Sequence, residues 1–182
     1  MAKSVSILSL VGNALQGSVG PGHSAISVDH TVFSFEVTAG WADARSGWRI
    51  IGRSEYLNLN RSRPVIVQDL KSGQVNADHV LRYLLASDSN DDDYIGSGVC
   101  SSQVSNAIDA GTTVRFDPFG LDHPATVFHL ARKLGLVQRT TVIPPTNWTW
   151  RSKMLLRDLY RLEPDGSASP LVPRRLYHPG KI

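Results

Sequence analysis

Apolar and small polar residues alternate along much of the first seventy residues, and further on apolar residues recur at helical spacing. The alternation starting at Val5 and Ile7 predicts a strand over 4–11, and similar patterns predict strands over 23–29, 31–37 and 64–70. Between these, residues 38–62 hold Trp41, Trp48, Tyr56 and several arginines without a clear period, and read as a long excursion beside a cleft. Asn76 is a good N-cap for a helix that carries Val80, Leu81, Leu84 and Leu85 on one face. The spacing of Cys100, Val104, Ala107 and Ile108 predicts a helix over 99–110 that stops at Gly111. A third helix fits 124–134, capped by Asp122 or His123, with Pro124 in its first turn and Gly135 after its end. Thr141, Val142 and Ile143 read as a strand before Pro144-Pro145, and Met154 to Leu162 as a helix. Together these elements predict an α+β domain over 1–163 with an extended basic tail over 164–182.

The segments 23–29 and 31–37 make a hairpin around Asp29-His30. A two-residue turn there pairs 28 with 31 and 26 with 33, and sets His23 opposite Glu36, with Cβ atoms roughly 5 Å apart. Ile26, Val28, Phe33 and Phe35 then form a core face. The other face carries His23, Ala25, Ser27, Ser34 and Glu36, small enough for the Cys100 helix to approach. A three-residue loop would shift this register and make His30 the third group of the site in place of Glu36.

Cys100 is the one cysteine in 182 residues, so the chain has no internal disulfide. Such a cysteine can serve as a small buried hydrophobe. It can also be a nucleophile: a helix N-terminus lowers a thiol's pKa, and an imidazole can take its proton. His23 is the candidate base and Glu36 the group that would orient it and stabilise the imidazolium. The Cys100 amide, with Asn13 or Gln16, could bind an oxyanion.

His23 on one strand, Glu36 on the next and Cys100 on a later helix resemble the circularly permuted NlpC/P60 group of papain-like cysteine hydrolases. The segment Tyr94-Ile95-Gly96-Ser97-Gly98-Val99-Cys100-Ser101 is similar to the nucleophile motif of that group. The Gly22-His23 hairpin is similar to the histidine strand of lecithin-retinol-acyltransferase-like and PPPDE-type proteins. This resemblance implies a papain-like fold with a small antiparallel sheet packed on the Cys-bearing helix. It also implies amide cleavage through an acyl-enzyme, with peptidoglycan stem peptides as the first substrate to test. By analogy of domain architecture, the expected setting is an antibacterial effector made in the cytoplasm and exported without a Sec signal to a target cell's periplasm, countered by a cognate inhibitor protein. Alternatives within the fold are a protein-directed isopeptidase or deamidase, and a lipid thioesterase or acyltransferase.

Charge adds a reading of another class. Residues 1–131 carry 9 Lys/Arg and 13 Asp/Glu, whereas residues 132–182 carry 10 and 3. The basic 132–182 region could serve a non-enzymatic binding module with an acidic partner. Its cations are scattered, however, which predicts no tight nucleic-acid binding at physiological ionic strength. No Cys/His spacing suits zinc, the four aspartates of 88–93 lack the pattern of a calcium loop, and no phosphate-binding glycine motif occurs, so no metal or cofactor is expected. Residues 1–12 read as a strand and not a signal peptide, and no stretch approaches the ~20 apolar residues of a membrane span. The expected state is a monomer.

Overall fold

A computed structural model describes residues 3–12, 22–37, 46–87, 100–117 and 123–170. Its strands are β1 (Val5–Leu10), β2 (His23–Val28), β3 (Thr31–Val37), β4 (Ser46–Gly52), β5 (Val65–Leu70) and β6 (Val137–Ile143). Its helices are α1 (Arg53–Leu59), α2 (Ala77–Ser87), α3 (Cys100–Gly111), α4 (Pro124–Lys133) and α5 (Trp150–Tyr160). The strands form one antiparallel sheet in the order β4-β3-β2-β1-β5-β6. The described residues therefore form an α+β fold, as the sequence pattern implies.

The two faces of the sheet are covered unequally. Val5, Ile7, Ile26, Val28, Phe33 and Phe35 pack with Val80 and Leu84 of α2, Val104, Ala107 and Ile108 of α3, and Val127 of α4. Ile66 extends this layer beneath Phe128 of α4 and Leu156 and Tyr160 of α5. The opposite face carries Leu8, Leu10, Ala25, Val32, Val65 and Val67, covered by Tyr56 of α1. Cross-strand neighbours share a face, so the register itself assigns each residue to its layer.

Two sequence expectations change here. The stretch 38–62 is not an irregular excursion throughout, because it contains β4 and α1. Trp48, expected beside a cleft, is buried and meets Phe35 edge-on at 5.3 Å and Phe33 at 6.4 Å. β4 is an edge strand with Arg49 and the half-exposed Ile50. Charges suit such an edge but erase the alternation that would reveal it. Residues 164–170, expected in the tail, bond back to the end of α5 instead. Leu162 bridges Ala168, Ser169 donates to the Arg161 carbonyl, and Arg157 pairs with Glu163 at 2.7 Å. Residues 171–182 lie outside the described residues.

Local signals explain the helix ends. Asn76 Oδ1 accepts the amides of Asp78 and His79 at the start of α2. His123 caps α4 through Nδ1, and Gly135 takes φ +69° beyond its end. Gly111, read as a stop signal, has a packing reason as well. A Cβ there would fall inside the van der Waals shell of the buried Val80 Cγ2 and 3.1 Å from the Asn76 carbonyl. We therefore expect Gly111→Ala to destabilise the fold by about 1–3 kcal/mol, read as a lowered melting temperature. An unchanged melting temperature would show that α2 and α3 separate easily.

Candidate active site

The hairpin has the register read from the sequence. Ala25 pairs with Ser34, Ile26 with Phe33, Ser27 with Val32 and Val28 with Thr31. Asp29 stands where such turns prefer glycine and adopts φ 52°, which aspartate tolerates better than most residues. Its carboxylate accepts the Ser4 amide at 2.7 Å, and its own amide donates to the Ser4 carbonyl at 2.8 Å. His30 is exposed in this turn.

At the open end of the hairpin the β2–β3 ladder stops with the Ala25–Ser34 pair. His23 and Glu36 are not bonded to each other there; Ser34 joins them. The Ser34 hydroxyl donates to Glu36 Oε1 at 2.8 Å and lies 2.8 Å from His23 Nε2. A hydroxyl has one proton, and the carboxylate can only accept. Nε2 therefore carries the imidazole proton and Nδ1 is the basic nitrogen. Arg49, opposite Ser34 on β4, approaches the second Glu36 oxygen at 3.6 Å. Burial pushes the His23 pKa down to about 4, with Glu36 opposing this and Arg63 adding to it.

Cys100 does not lie where the sequence reading put it. Its helix packs on the Ile26–Phe35 face, not on the His23 face. Tyr56 already fills the apolar part of that second face, and the stripe of α3 matches the apolar layer on the first. The alternation of β2 sends His23 and Ser24 to opposite faces, and the thiol sits on the Ser24 side. Continued one residue further, the ladder would aim the Ser24 amide at Phe35. That amide donates instead to Cys100 Sγ at 3.5 Å. The Ser101 hydroxyl lies 3.9 Å from the same sulfur and 3.3 Å from the Ser24 hydroxyl. The structure thus brings His23, Ser34 and Glu36 together and sets the Cys100 thiol against the peptide that follows His23. Burial pushes the Cys100 thiol up and outweighs the Ser24 amide, the Ser101 hydroxyl and the first amides of α3, which act to lower it, so the net depression expected at a helix N-terminus is not seen.

Several residues of this region escape a sequence reading. Ser34 looks like an ordinary polar position in an alternating strand. Tyr56 is buried beside the chain, its hydroxyl near Ser34 without a well-formed hydrogen bond. Arg63 acts electrostatically on both His23 and Tyr56. His129 bonds the Leu159 carbonyl, Trp148 packs against the α4–α5 cluster, and Trp150 is exposed. No group of three metal-ligating side chains occurs among the described residues, and no described helix is long and apolar enough to cross a membrane. Asn13, Gln16, Trp41, the aspartates of 88–93 and the segment Tyr94–Val99 lie outside the described residues.

Two predictions follow from the position of His23. Gly22 takes φ +100°, and a Cβ there would collide with the Leu10 carbonyl oxygen. Gly22→Ala should destabilise the fold by about 2–3 kcal/mol and disturb the adjacent His23, seen in thermal melts and in its ring NMR signal. The depressed His23 pKa also links stability to pH. The unfolded chain binds this proton near pH 6.5 and the folded one only near 4, so the contribution is complete above about 6.5 and lost as pH falls toward 4. On the order of 3 kcal/mol is at stake. Denaturant unfolding from pH 7 to 4 should therefore fall more steeply for the parent than for His23→Gln, and parallel curves would contradict the assignment.

No protein-family model, curated protein or solved structure matches the chain.

Proposed function

We propose that this chain is a cysteine hydrolase of the papain-like, permuted NlpC/P60 kind, cleaving an amide bond through an acyl-enzyme. Cys100 is the nucleophile, His23 the base, and Glu36 acts on His23 through Ser34. The observation that carries this reading is the Glu36–Ser34–His23 hydrogen-bond chain, which ends one residue before the amide holding the Cys100 thiol.

In this reading the resting pair is a neutral thiol and a neutral imidazole. His23 Nδ1 accepts the thiol proton as Sγ bonds to the substrate carbonyl carbon. For this transfer the Cys100 thiol must come to Nδ1 past the start of β2 while Nε2 keeps its Ser34 bond. The resulting imidazolium is stabilised along Ser34 to Glu36. The Ser24 and Cys100 amides are the donors nearest the developing oxyanion. The C–N bond then breaks, His23 gives its proton to the leaving amine, and water hydrolyses the thioester.

Peptidoglycan stem peptides are the first substrate class, in keeping with the sequence resemblance, and an exported antibacterial effector is the matching setting. The test uses purified protein and muropeptides with uncut stem peptides, monitored by product mass and new amino groups. We expect cleavage by the parent and a loss of about 10²–10⁴-fold in His23→Gln. Equal turnover by the two proteins would remove His23 as the base.

A further inference from the structure

The sheet face that carries His23 also holds two buried donors without a well-formed hydrogen bond. The Tyr56 hydroxyl and Arg63 Nε are buried, and neither has a hydrogen-bond partner among the described residues. The Tyr56 side chain is only 2% exposed, its ring packed among Leu8, Leu10 and Val65. Arg63 lies in the turn from α1 to β5, its amide bonded to the Asn60 carbonyl at 3.1 Å. Two residues on, Val65 opposes Leu10, which in turn opposes His23. Arg63 and His23 therefore come to the same end of the sheet, and Arg63 is close enough to act electrostatically on His23 and Tyr56.

Glu36 does not answer these donors, because Ser34 engages one of its oxygens and Arg49 approaches the other. A buried donor without an acceptor is unfavourable, so a charged and a neutral donor at one end of the sheet, with Tyr56 packed in the cluster of Leu10 and Val65, favour an incoming acceptor. A guanidinium edge and one hydroxyl match the two oxygens of a planar carboxylate. The nearby charge of Glu36 disfavours a dianion such as phosphate.

We propose that Tyr56 and Arg63 form a carboxylate-binding subsite beside His23, selecting substrates with a carboxylate close to the bond attacked. Its place relative to the scissile bond rests on Cys100 being the nucleophile; carboxylate binding itself does not.

Two measurements test the two parts. In the first, the folded protein is titrated with sodium acetate at pH 7 and constant ionic strength, following the His23 ring NMR signal, identified by its loss in His23→Gln. The parent signal should move saturably, with at least tenfold weaker binding in Arg63→Gln and in Tyr56→Phe, which keeps the ring in its cluster. A parent signal that does not move, or one that moves equally in Arg63→Gln, overturns the subsite. The second measurement compares alkylation of Cys100 at pH 8.5 by iodoacetate and by its neutral analogue iodoacetamide. Arg63→Gln should lower the iodoacetate-to-iodoacetamide rate ratio at least fivefold, and an unchanged ratio overturns the placement beside the thiol. A thiol inert to both reagents counts against the nucleophile reading, and the acetate titration then decides the subsite alone.

Discussion

Cys100→Ala should lower turnover of muropeptides by about 10⁴-fold or more while leaving a folded protein. The nucleophile supplies the bond that defines the acyl-enzyme, and no neighbouring group replaces it. Ser101, the next residue, is buried, and its hydroxyl donates to Ser24. The structural cost is separate and small. Cys100 is 6% exposed, and alanine removes one sulfur atom and the acceptor of the Ser24 amide. Each loss is worth about 1 kcal/mol, so the melting temperature should fall by several degrees at most. Measured together, rate and stability separate two roles for the residue. Unchanged turnover with a lowered melting temperature would make Cys100 a packing residue and end the hydrolase reading. Intact mass spectrometry gives a further check, since only the parent should form a thioester adduct.

The sequence exposed some parts of this site because local rules decide them. The hairpin register follows from alternation and a two-residue turn, and Asp29 meets the turn's backbone demand while tying it to Ser4. The caps at Asn76 and His123 and the buried face of α3 follow from residue chemistry and helical spacing. Other parts depend on tertiary packing. Small residues on the His23 face suggested room for the Cys100 helix, but helix periodicity gives the apolar stripe and not the layer it will meet. Tyr56, in a segment without a clear period, occupies that space. β4 was hidden by the charge and exposure suited to a sheet edge. Ser34 could not be distinguished from any small polar strand residue, because its role depends on where the His23 ring turns after the ladder ends.

The Ser34 link makes the role of Glu36 testable apart from folding. Ser34→Ala removes the hydroxyl that links His23 to Glu36, so the imidazolium loses its route to the carboxylate. We expect kcat/KM to fall by about 10–100-fold, by analogy with the loss when the hydrogen-bond partner that orients a metal-ligating histidine is removed. Glu36→Gln keeps the size of the side chain and removes its charge, and should fall in the same range. The double variant should be little worse than either single one, because both changes break one chain. Fully multiplied effects would show that the two residues act independently. The pH profile gives a readout that packing alone would not move. Glu36 raises the His23 pKa against the dominant effect of burial, so Glu36→Gln should move the acid limb of kcat/KM to lower pH. His30→Ala, a change in the exposed turn, should leave rate and profile unchanged. If instead His30→Ala abolished turnover and Glu36→Gln had no effect, the third group would be His30, and the chain from Ser34 to Glu36 would serve only to hold the hairpin end together.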